Sequence, residues 1–233
     1  MTHPLDNPVR SALTGEQAPF AVRSGNAVRY QPEISPFCGL PDQPSAADWA
    51  GAARLAPPGQ VVLFIGPFAV PPAGWEVVGS REGVQLVAED LDPVTDPEAV
   101  AVAVAVAVAL SLADAPEMLE LTERTKPGPF LPRTVELGGY LGIRREGRLV
   151  AMAGVRMRPP GFAEISAVCT DEAWRGRGFA ARLTRAVAAG IASRGETPFL
   201  HAAGTNTNAI RLYKSLGFVH RREVTFIAAT PPK

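Results

Sequence analysis

The spacing of apolar and polar positions predicts a mixed α/β protein, most plainly in the C-terminal half. After Gly178, the apolar residues Leu183, Val187 and Ile191 recur every four positions, which indicates an amphipathic helix that runs to about residue 194, with Gly195 as its C-cap. Apolar runs at 165–169 and 198–203 flank this helix and predict strands. A strand–turn–helix–strand unit therefore lies at the centre of this half.

Similar patterns extend this half in both directions. They predict a helix at 115–125 with Asp114 as its N-cap, and a broken connection at 126–133. Further along the chain they predict a hairpin of 137–143 with 149–155, a strand at 163–170, a helix at about 206–216 and a terminal strand at 218–228. The Ala-Val alternation that ends at residue 109 has a period of two, so we expect a buried strand.

The first 95 residues predict a smaller α/β domain. We expect a hairpin of 21–23 with 27–30, a helix at 45–55 capped by Ser45, and short strands at 60–65, 75–78 and 84–87. An acidic, proline-containing stretch at 91–98 indicates a linker. The predicted organisation is thus an N-terminal domain at 1–95 and a second domain at 96–233.

Charge and cysteine content narrow the function classes. Residues 1–95 carry five Lys/Arg and ten Asp/Glu, so the formal net charge of zero combines an acidic N-terminal part with a basic C-terminal part. This modest basicity suits an anionic cofactor but not nucleic acid. The two cysteines have no metal-binding spacing, so we expect no metal. The longest apolar run, 99–110, is too short to span a membrane. The N-terminus does not resemble a signal peptide, and together these features predict a cytoplasmic protein.

The turn between the strand at 165–169 and the following helix is the strongest candidate for a binding site. Glycines at a helix start allow close approach to free backbone N–H groups, and the helix dipole favours a phosphate or pyrophosphate there. The run 176–181 formally fits the dinucleotide fingerprint G-x-G-x-x-G/A. Five residues separate the strand from the first glycine, however, and the next strand ends without an acid for a ribose, so this interpretation fits poorly.

Two motifs resemble those of the GNAT acetyltransferase superfamily. Arg175-x-x-Gly178-x-Ala180 is similar to its R/Q-x-x-G-x-G/A motif, and residues 206–218 resemble N-x-x-A-x-x-x-Y-x-x-x-G-F. The resemblance covers about 104–229. It implies a mixed, mostly antiparallel central sheet flanked by helices, with acetyl-CoA as the acyl donor. The resemblance does not extend to the first hundred residues, for which a degenerate GNAT-like half that covers the acceptor pocket is one interpretation. No R-x-x-G-x-G/A motif precedes residue 175, so we expect one CoA site per chain.

The resemblance also implies which residues bind the cofactor. Backbone N–H groups of 175–180 would hold the pyrophosphate, and the pantetheine arm would lie along the main chain of 167–169. The Val168 N–H would be the oxyanion donor, while Asn206 would cap its helix, contact CoA, or both. The predicted cofactor-binding residues are Ala167, Val168, Cys169, Arg175, Gly176, Arg177, Gly178, Phe179, Ala180, Asn206 and Tyr213.

Tyr213 matches the family tyrosine that protonates the departing thiolate; its alternative role is a core aromatic residue. For the base that takes the proton of the amine, three alternatives stay open. They are Glu164, with a pKa raised by an apolar cleft, His201 on the facing strand, and a water relay. Glu164, His201 and Phe130, in the loop 127–133, are the predicted acceptor-site residues, although the loop also fits a rigid connector.

The resulting hypothesis is an N-acetyltransferase that transfers an acetyl group from acetyl-CoA to a primary amine by direct attack in a ternary complex. The acceptor is a small molecule or a peptide, and the protein is a monomer or homodimer. The alternative is a catalytically silent acyl-CoA-binding protein.

Overall fold

The computed structural model describes residues 3–57, 59–67, 70–88 and 107–232. The chain divides into two compact units. The N-terminal unit consists of Met1–Gly83, Met157–Pro160 and Glu223–Lys233, and the C-terminal unit of Val84–Arg156 and Gly161–Arg222. The predicted boundary near residue 95 and the predicted linker at 91–98 lie outside the described residues, so the division into 1–95 and 96–233 stays a prediction.

The N-terminal unit combines helices α1 (Pro8–Thr14) and α2 (Ala46–Leu55) with a three-stranded antiparallel sheet. The sheet consists of β1 (Ala21–Ser24), β2 (Ala27–Tyr30) and β3 (Cys38–Gly39). The predicted hairpin and the Ser45 cap are confirmed, since the Ser45 hydroxyl accepts from the Asp48 N–H in a capping box. Helix α1 has no counterpart in the sequence prediction, although Val9, Ala12 and Leu13 are buried at helical spacing.

A further set of strands in this unit is β4 (Val62–Ile65), β11 (Val219–Thr230) and β5 (Glu76–Val87), in that order. The prediction of two strands, at 75–78 and 84–87, is wrong, because β5 is one continuous strand. Its first seven residues are exposed or half-buried, so the apolar alternation that marks a strand is absent there. Pairing with neighbouring strands keeps this stretch extended.

The C-terminal unit is a mixed sheet with helices packed against it. Its strand order is β11-β5-β10-β9-β8-β7-β6, in which β5 contributes residues 84–87 and β11 residues 219–222. The remaining strands are β6 (Val108–Ala109), β7 (Leu141–Arg145), β8 (Arg148–Val155), β9 (Phe162–Thr170) and β10 (Thr197–Ala203). The pairs β6–β7, β7–β8 and β8–β9 are antiparallel, whereas β9 and β10 are parallel.

The described part of this unit contains the helices α3 (Ala115–Thr125), α4 (Phe179–Ala192) and α5 (Thr207–Ser215). The stripe of Leu183, Val187 and Ile191 on α4 is buried in the core, as the four-residue spacing predicts. The predicted mixed, mostly antiparallel sheet flanked by helices is therefore confirmed. Within the described residues, no helix combines the length and apolar character needed to cross a membrane.

Three local expectations for this unit need correction. The described end of the Ala-Val alternation, β6, is an exposed edge strand rather than a buried one, and residues 99–106 lie outside the described residues. Asp114 precedes α3 but does not cap it, because its carboxylate accepts from the Ser111 N–H and from Arg144. Strand β7 begins at Leu141, later than predicted, because Thr134–Leu137 forms a 3-10 turn and two glycines with φ of +93° and +65° follow it.

Candidate functional site

The turn between β9 and α4 leaves the helix start accessible. A 3-10 turn at Glu172–Trp174 follows β9, and Gly178 occupies the N-cap position of α4. Gly176 and Gly178 have φ of +76° and +75°, the left-handed region that favours glycine. No described side chain caps α4, its first turn carries no acid, and a Cβ on either glycine would meet nothing within 4 Å. The turn thus presents backbone donors and a positive helix end to solvent.

Aromatic and basic side chains surround this turn. The Arg177 guanidinium lies 4.6 Å from the centre of the Trp174 ring, and that of Arg145 lies 5.2 Å from the centre of Phe179. The Trp174 and Phe179 rings stack on each other, with centroids 6.4 Å apart. Both arginine contacts are cation–π interactions that keep positive charge close to the start of α4. Arg175 donates from Nε to the Thr170 carbonyl across 3.4 Å, a long contact that constrains it little.

Strands β9 and β10 stop pairing before either strand ends. The parallel register runs from Phe162↔Thr197 to Ile165↔Leu200, so residues 166–170 and 201–203 extend beyond it. Main chain of β9 that is not paired with β10 can in principle pair with an extended ligand.

A β-bulge in β9 lies within this divergence. Gly154 pairs with Ser166 and Met152 with Cys169, so Ala167 and Val168 stand opposite the single residue Ala153. Ala167 has φ of +53°, a conformation that costs a non-glycine residue about 1–2 kcal/mol and that occurs preferentially at functional sites. The sequence carries no local signal of this bulge, because no glycine stands at 165–169 to mark it.

Tyr213 lies on α5 and is 8% exposed. It shares a core cluster with Phe179 and Phe218, and Val168 packs against the same cluster. Burial raises the pKa of the Tyr213 hydroxyl to about 12, so the hydroxyl keeps its proton at neutral pH. At the start of the same helix, the Asn206 side chain accepts from the Ala209 N–H across 3.2 Å, which confirms its capping role.

Glu164 is fully buried and ion-paired. Arg156 donates from Nε and Nη2 across 2.9 and 2.5 Å, and His201 Nδ1 lies 2.7 Å from Oε1. Burial by itself raises the pKa of Glu164, but the charge of Arg156 and the hydrogen bond from His201 outweigh it and hold the pKa at about 2. The expectation of a raised pKa is therefore wrong, since Arg156 and His201 contact this buried carboxylate.

The other side of His201 faces Gln85, whose Nε2 lies 3.0 Å from His201 Nε2. Arg221 in turn donates to Gln85 Oε1 across 2.8 Å. Sequence reasoning missed Gln85, Arg156 and Arg221. Only Arg156 had a local signal, because the β8–β9 return through 158–161 pairs Val155 with Ile165 and so brings Arg156 beside Glu164.

Phe130 and Cys169 lie in a second apolar cluster, together with Ala167 and Tyr140. The Phe130 ring meets the Tyr140 ring edge to face, with centroids 5.6 Å apart. Burial raises the pKa of the Cys169 thiol to about 11, so at neutral pH the sulfur is a protonated packing group rather than a nucleophile. The structure thus gathers Tyr213, Val168 and Phe179 in one cluster, and Phe130, Ala167 and Cys169 in another. Among the described residues, no group of acids, histidines and cysteines could hold a metal ion.

Comparison with known proteins decides the family. The chain is similar over its whole length to a crystal structure from Novosphingobium aromaticivorans that is assigned to the GNAT family of acetyltransferases. The two chains are 40% identical, each is covered completely, and the TM-score is 0.87. This chain belongs to the GNAT family. Membership confirms the resemblance carried by the motifs at 175–180 and 206–218, and it sets aside the dinucleotide interpretation of the same turn.

Other GNAT relatives agree. The family model described as FR47-like protein matches residues 140–227. An N-alpha-acetyltransferase named RimI from Mycobacterium tuberculosis is 35% identical over 82 residues. That match covers 34% of this chain and spans only about half, 51%, of the curated relative. A GCN5-related N-acetyltransferase from Kribbella flavida, 18% identical with a TM-score of 0.59, covers 97% of this chain and 95% of its own, and shows the shared fold.

Proposed function

We propose that this GNAT protein transfers an acetyl group from acetyl-CoA to a primary amine by direct attack within a ternary complex. The observation that carries the proposal is the accessible start of α4 beside the point where β9 and β10 diverge. A helix start with free N–H groups suits a pyrophosphate, and a strand with unpaired length suits an extended pantetheine arm.

The backbone N–H groups of 175–180 hold the pyrophosphate in this proposal, and the arginines near the turn supply positive charge. The pantetheine arm lies along Ala167, Val168 and Cys169. The oxyanion donor in this proposal is the N–H of Val168, which directly follows the strained Ala167 in the bulge. Asn206 acts through its cap, by fixing the start of the helix that carries Tyr213.

In the chemical step, the lone pair of the amine attacks the thioester carbon, the C–N bond forms, and the C–S bond breaks as the tetrahedral intermediate collapses. The departing thiolate takes the hydroxyl proton of Tyr213, which its raised pKa has kept in place. Water accepts the proton of the amine. We assign this proton to a water relay rather than to Glu164, because Arg156 and His201 already occupy the Glu164 carboxylate.

The acceptor is a small amine or the amino group of a peptide. Similarity to an N-alpha-acetyltransferase supports an α-amino group. We propose Phe130 and His201 as residues near the acceptor site. Phe130 lies in one apolar cluster with Ala167, and His201 contacts Glu164. We retain 1–95 as an N-terminal domain, a degenerate GNAT-like half, and 96–233 as the catalytic domain.

Calorimetric titration with acetyl-CoA tests the cofactor site in three proteins: wild type, Gly178→Ala and Gly178→Asp. Wild type binds one equivalent. Both variants strain the same backbone position, but only aspartate adds negative charge where the pyrophosphate lies. We expect the alanine variant to bind more weakly and the aspartate variant not to bind. Equal binding by all three proteins would refute this cofactor site.

Two observations favour a second candidate, an acyl-CoA-binding protein without turnover: Tyr213 is largely buried, and both carboxylate oxygens of Glu164 are hydrogen-bonded. Thiolate release from acetyl-CoA in the presence of small amines and N-terminal peptides separates the two functions. For the enzyme, Tyr213→Phe lowers turnover while acetyl-CoA affinity stays close to that of wild type. For the binding protein, wild type already releases no thiolate above the level without protein.

A further inference from the structure

Five polar side chains form a continuous hydrogen-bonded row across neighbouring strands of the C-terminal unit. Arg156 directly follows β8, and the other four lie on β9, β10, β5 and β11, the next strands in order. The row runs Arg156–Glu164–His201–Gln85–Arg221. Glu164 and Gln85 are fully buried, and the His201 side chain is 1% exposed.

The donors and acceptors in this row have one consistent arrangement. A guanidinium only donates, so the Gln85 oxygen faces Arg221 and the Gln85 NH₂ group faces His201. An amide NH₂ also only donates, so His201 Nε2 must be the acceptor. At the other end, Arg156 donates twice to the Glu164 carboxylate, which accepts from His201 Nδ1.

We infer that His201 donates a proton from Nδ1 to Glu164 and that Gln85 engages its Nε2 lone pair. The row then fixes β9 and β10 where they diverge, and neither His201 nor Glu164 accepts the proton of the acceptor amine. The statement about the acceptor amine rests on the proposed function, whereas the proton position on His201 does not. His201 and Gln85 are positioning residues in this account, because each acts through its neighbours.

Two contacts oppose a proton on His201 Nε2. A second proton on Nε2 would point at the Gln85 NH₂ group, and a reversed Gln85 amide would point that NH₂ group at Arg221. Along the row, the charged group in contact with the imidazole is the Glu164 carboxylate. The Arg156 guanidinium lies beyond Glu164, and the Arg221 guanidinium lies beyond Gln85.

The position of the row explains why its geometry matters. Glu164 pairs with Phe199, and the ladder between β9 and β10 ends at the next pair, Ile165 and Leu200. His201 is the first β10 residue beyond that end. The Glu164–His201 hydrogen bond therefore joins the two strands directly at the start of the divergence, where backbone pairing no longer joins them.

Nitrogen-15 NMR of the imidazole rings tests the proton position without any enzymatic assay. The chain has three histidines, and a His3→Gln/His220→Gln protein leaves His201 as the only imidazole. At neutral pH we expect a directly bound proton on Nδ1 and none on Nε2. A proton on Nε2, protons on both nitrogens, or averaged signals from two tautomers would overturn the inference.

A Gln85→Glu substitution in the same background tests the cause. The new carboxylate keeps an acceptor for Arg221 and offers His201 a second acceptor, so at the same pH both ring nitrogens should carry protons. Gln17→Glu is the matched control, since Gln17 is buried in the N-terminal unit and its oxygen already accepts from Tyr30 and the Arg158 N–H. It should leave the His201 signals unchanged. An unchanged spectrum in folded Gln85→Glu protein would contradict the role of Gln85.

Kinetics test the consequence for the amine proton. If His201 is not the base, His201→Gln lowers kcat/KM but leaves the acid limb of its pH profile at the wild-type position. Loss of that limb would show that His201 takes the proton. Absence of any acetyltransferase activity in wild type would overturn the proposed function, while the NMR result on proton position would stand by itself.

Discussion

The glycine turn before α4 and the buried row that includes Glu164 differ in how many of their polar groups are already paired. The turn is exposed, and no described side chain caps the start of its helix. Its positive charge comes from Arg145 and Arg177, which make cation–π contacts with Phe179 and Trp174. Glu164, Gln85 and the His201 side chain at the centre of the row are buried, and the donors and acceptors of the row bond to one another. The polar groups of the turn are available to a ligand, whereas those of the row stabilise the shape of the sheet beside it.

The largest expected effect comes from opening the row at its charged end. Arg156→Ala leaves the Glu164 carboxylate buried without its cation, which typically costs about 3–5 kcal/mol of the free energy of unfolding. Arg133→Ala is the control, because it removes a partly exposed ion pair with Glu136 and should cost at most about 1 kcal/mol. Urea unfolding followed by circular dichroism measures both. Equal losses would mean that burial does not distinguish the two ion pairs.

The pH dependence of stability sharpens the same contrast. The pKa of Glu164 is about 2 in the folded protein against 4.5 ordinarily, so its stabilising contribution is complete above about pH 4.5 and is lost as the pH falls toward 2. The shift corresponds to about 3 kcal/mol. Wild type should therefore lose about that much more unfolding free energy than Glu164→Gln between pH 5 and pH 2, in urea unfolding at each pH. Parallel curves for the two proteins would contradict this.

The contrast also explains which features the sequence predicts. Residues 175–180 are consecutive, and the motif at 206–218 lies within one helix and its ends, so local spacing is enough to identify both. The row joins residues 37, 116 and 136 positions apart, between Glu164 and His201, Gln85 and His201, and Gln85 and Arg221. Arg156 and Glu164 are only eight residues apart, so the return between β8 and β9 carries a signal for this pair. The contact of Glu164 with His201 has no such local signal.

The strand predictions follow the same logic. The β1–β2 hairpin has a local turn signal and is confirmed. The polar middle of β5 is extended because of pairing with strands distant in sequence, and the bulge at Ala167 depends on register with β8. Neither feature has a signature in neighbouring residues.

Alanine substitutions at two glycines should change stability by an intermediate amount, and in opposite directions for a crowded and an open position. A Cβ on Gly154 would lie 2.3 Å from the Tyr140 ring, so Gly154→Ala overpacks the core and should cost about 1–3 kcal/mol. Gly190, inside α4, has nothing within 4 Å of the same position, and Gly190→Ala should stabilise the helix by up to about 1 kcal/mol. Thermal unfolding of both variants should show shifts of opposite sign. A loss of stability in both would mean that the space around Gly190 is not open.

The smallest expected effect on stability lies in the turn itself. Arg177→Ala removes an exposed cation–π contact with Trp174, which is typically worth about 0.5–1 kcal/mol. If the turn holds the pyrophosphate, the same variant should bind acetyl-CoA about fivefold more weakly at low salt, which is about 1 kcal/mol. This difference should shrink at high salt as screening grows. Arg54→Ala makes the same change of net charge in the N-terminal unit, also at an exposed arginine. An equal loss of affinity in Arg54→Ala would assign the effect to overall charge rather than to the turn, whereas an Arg177-specific loss places the anion beside the start of α4.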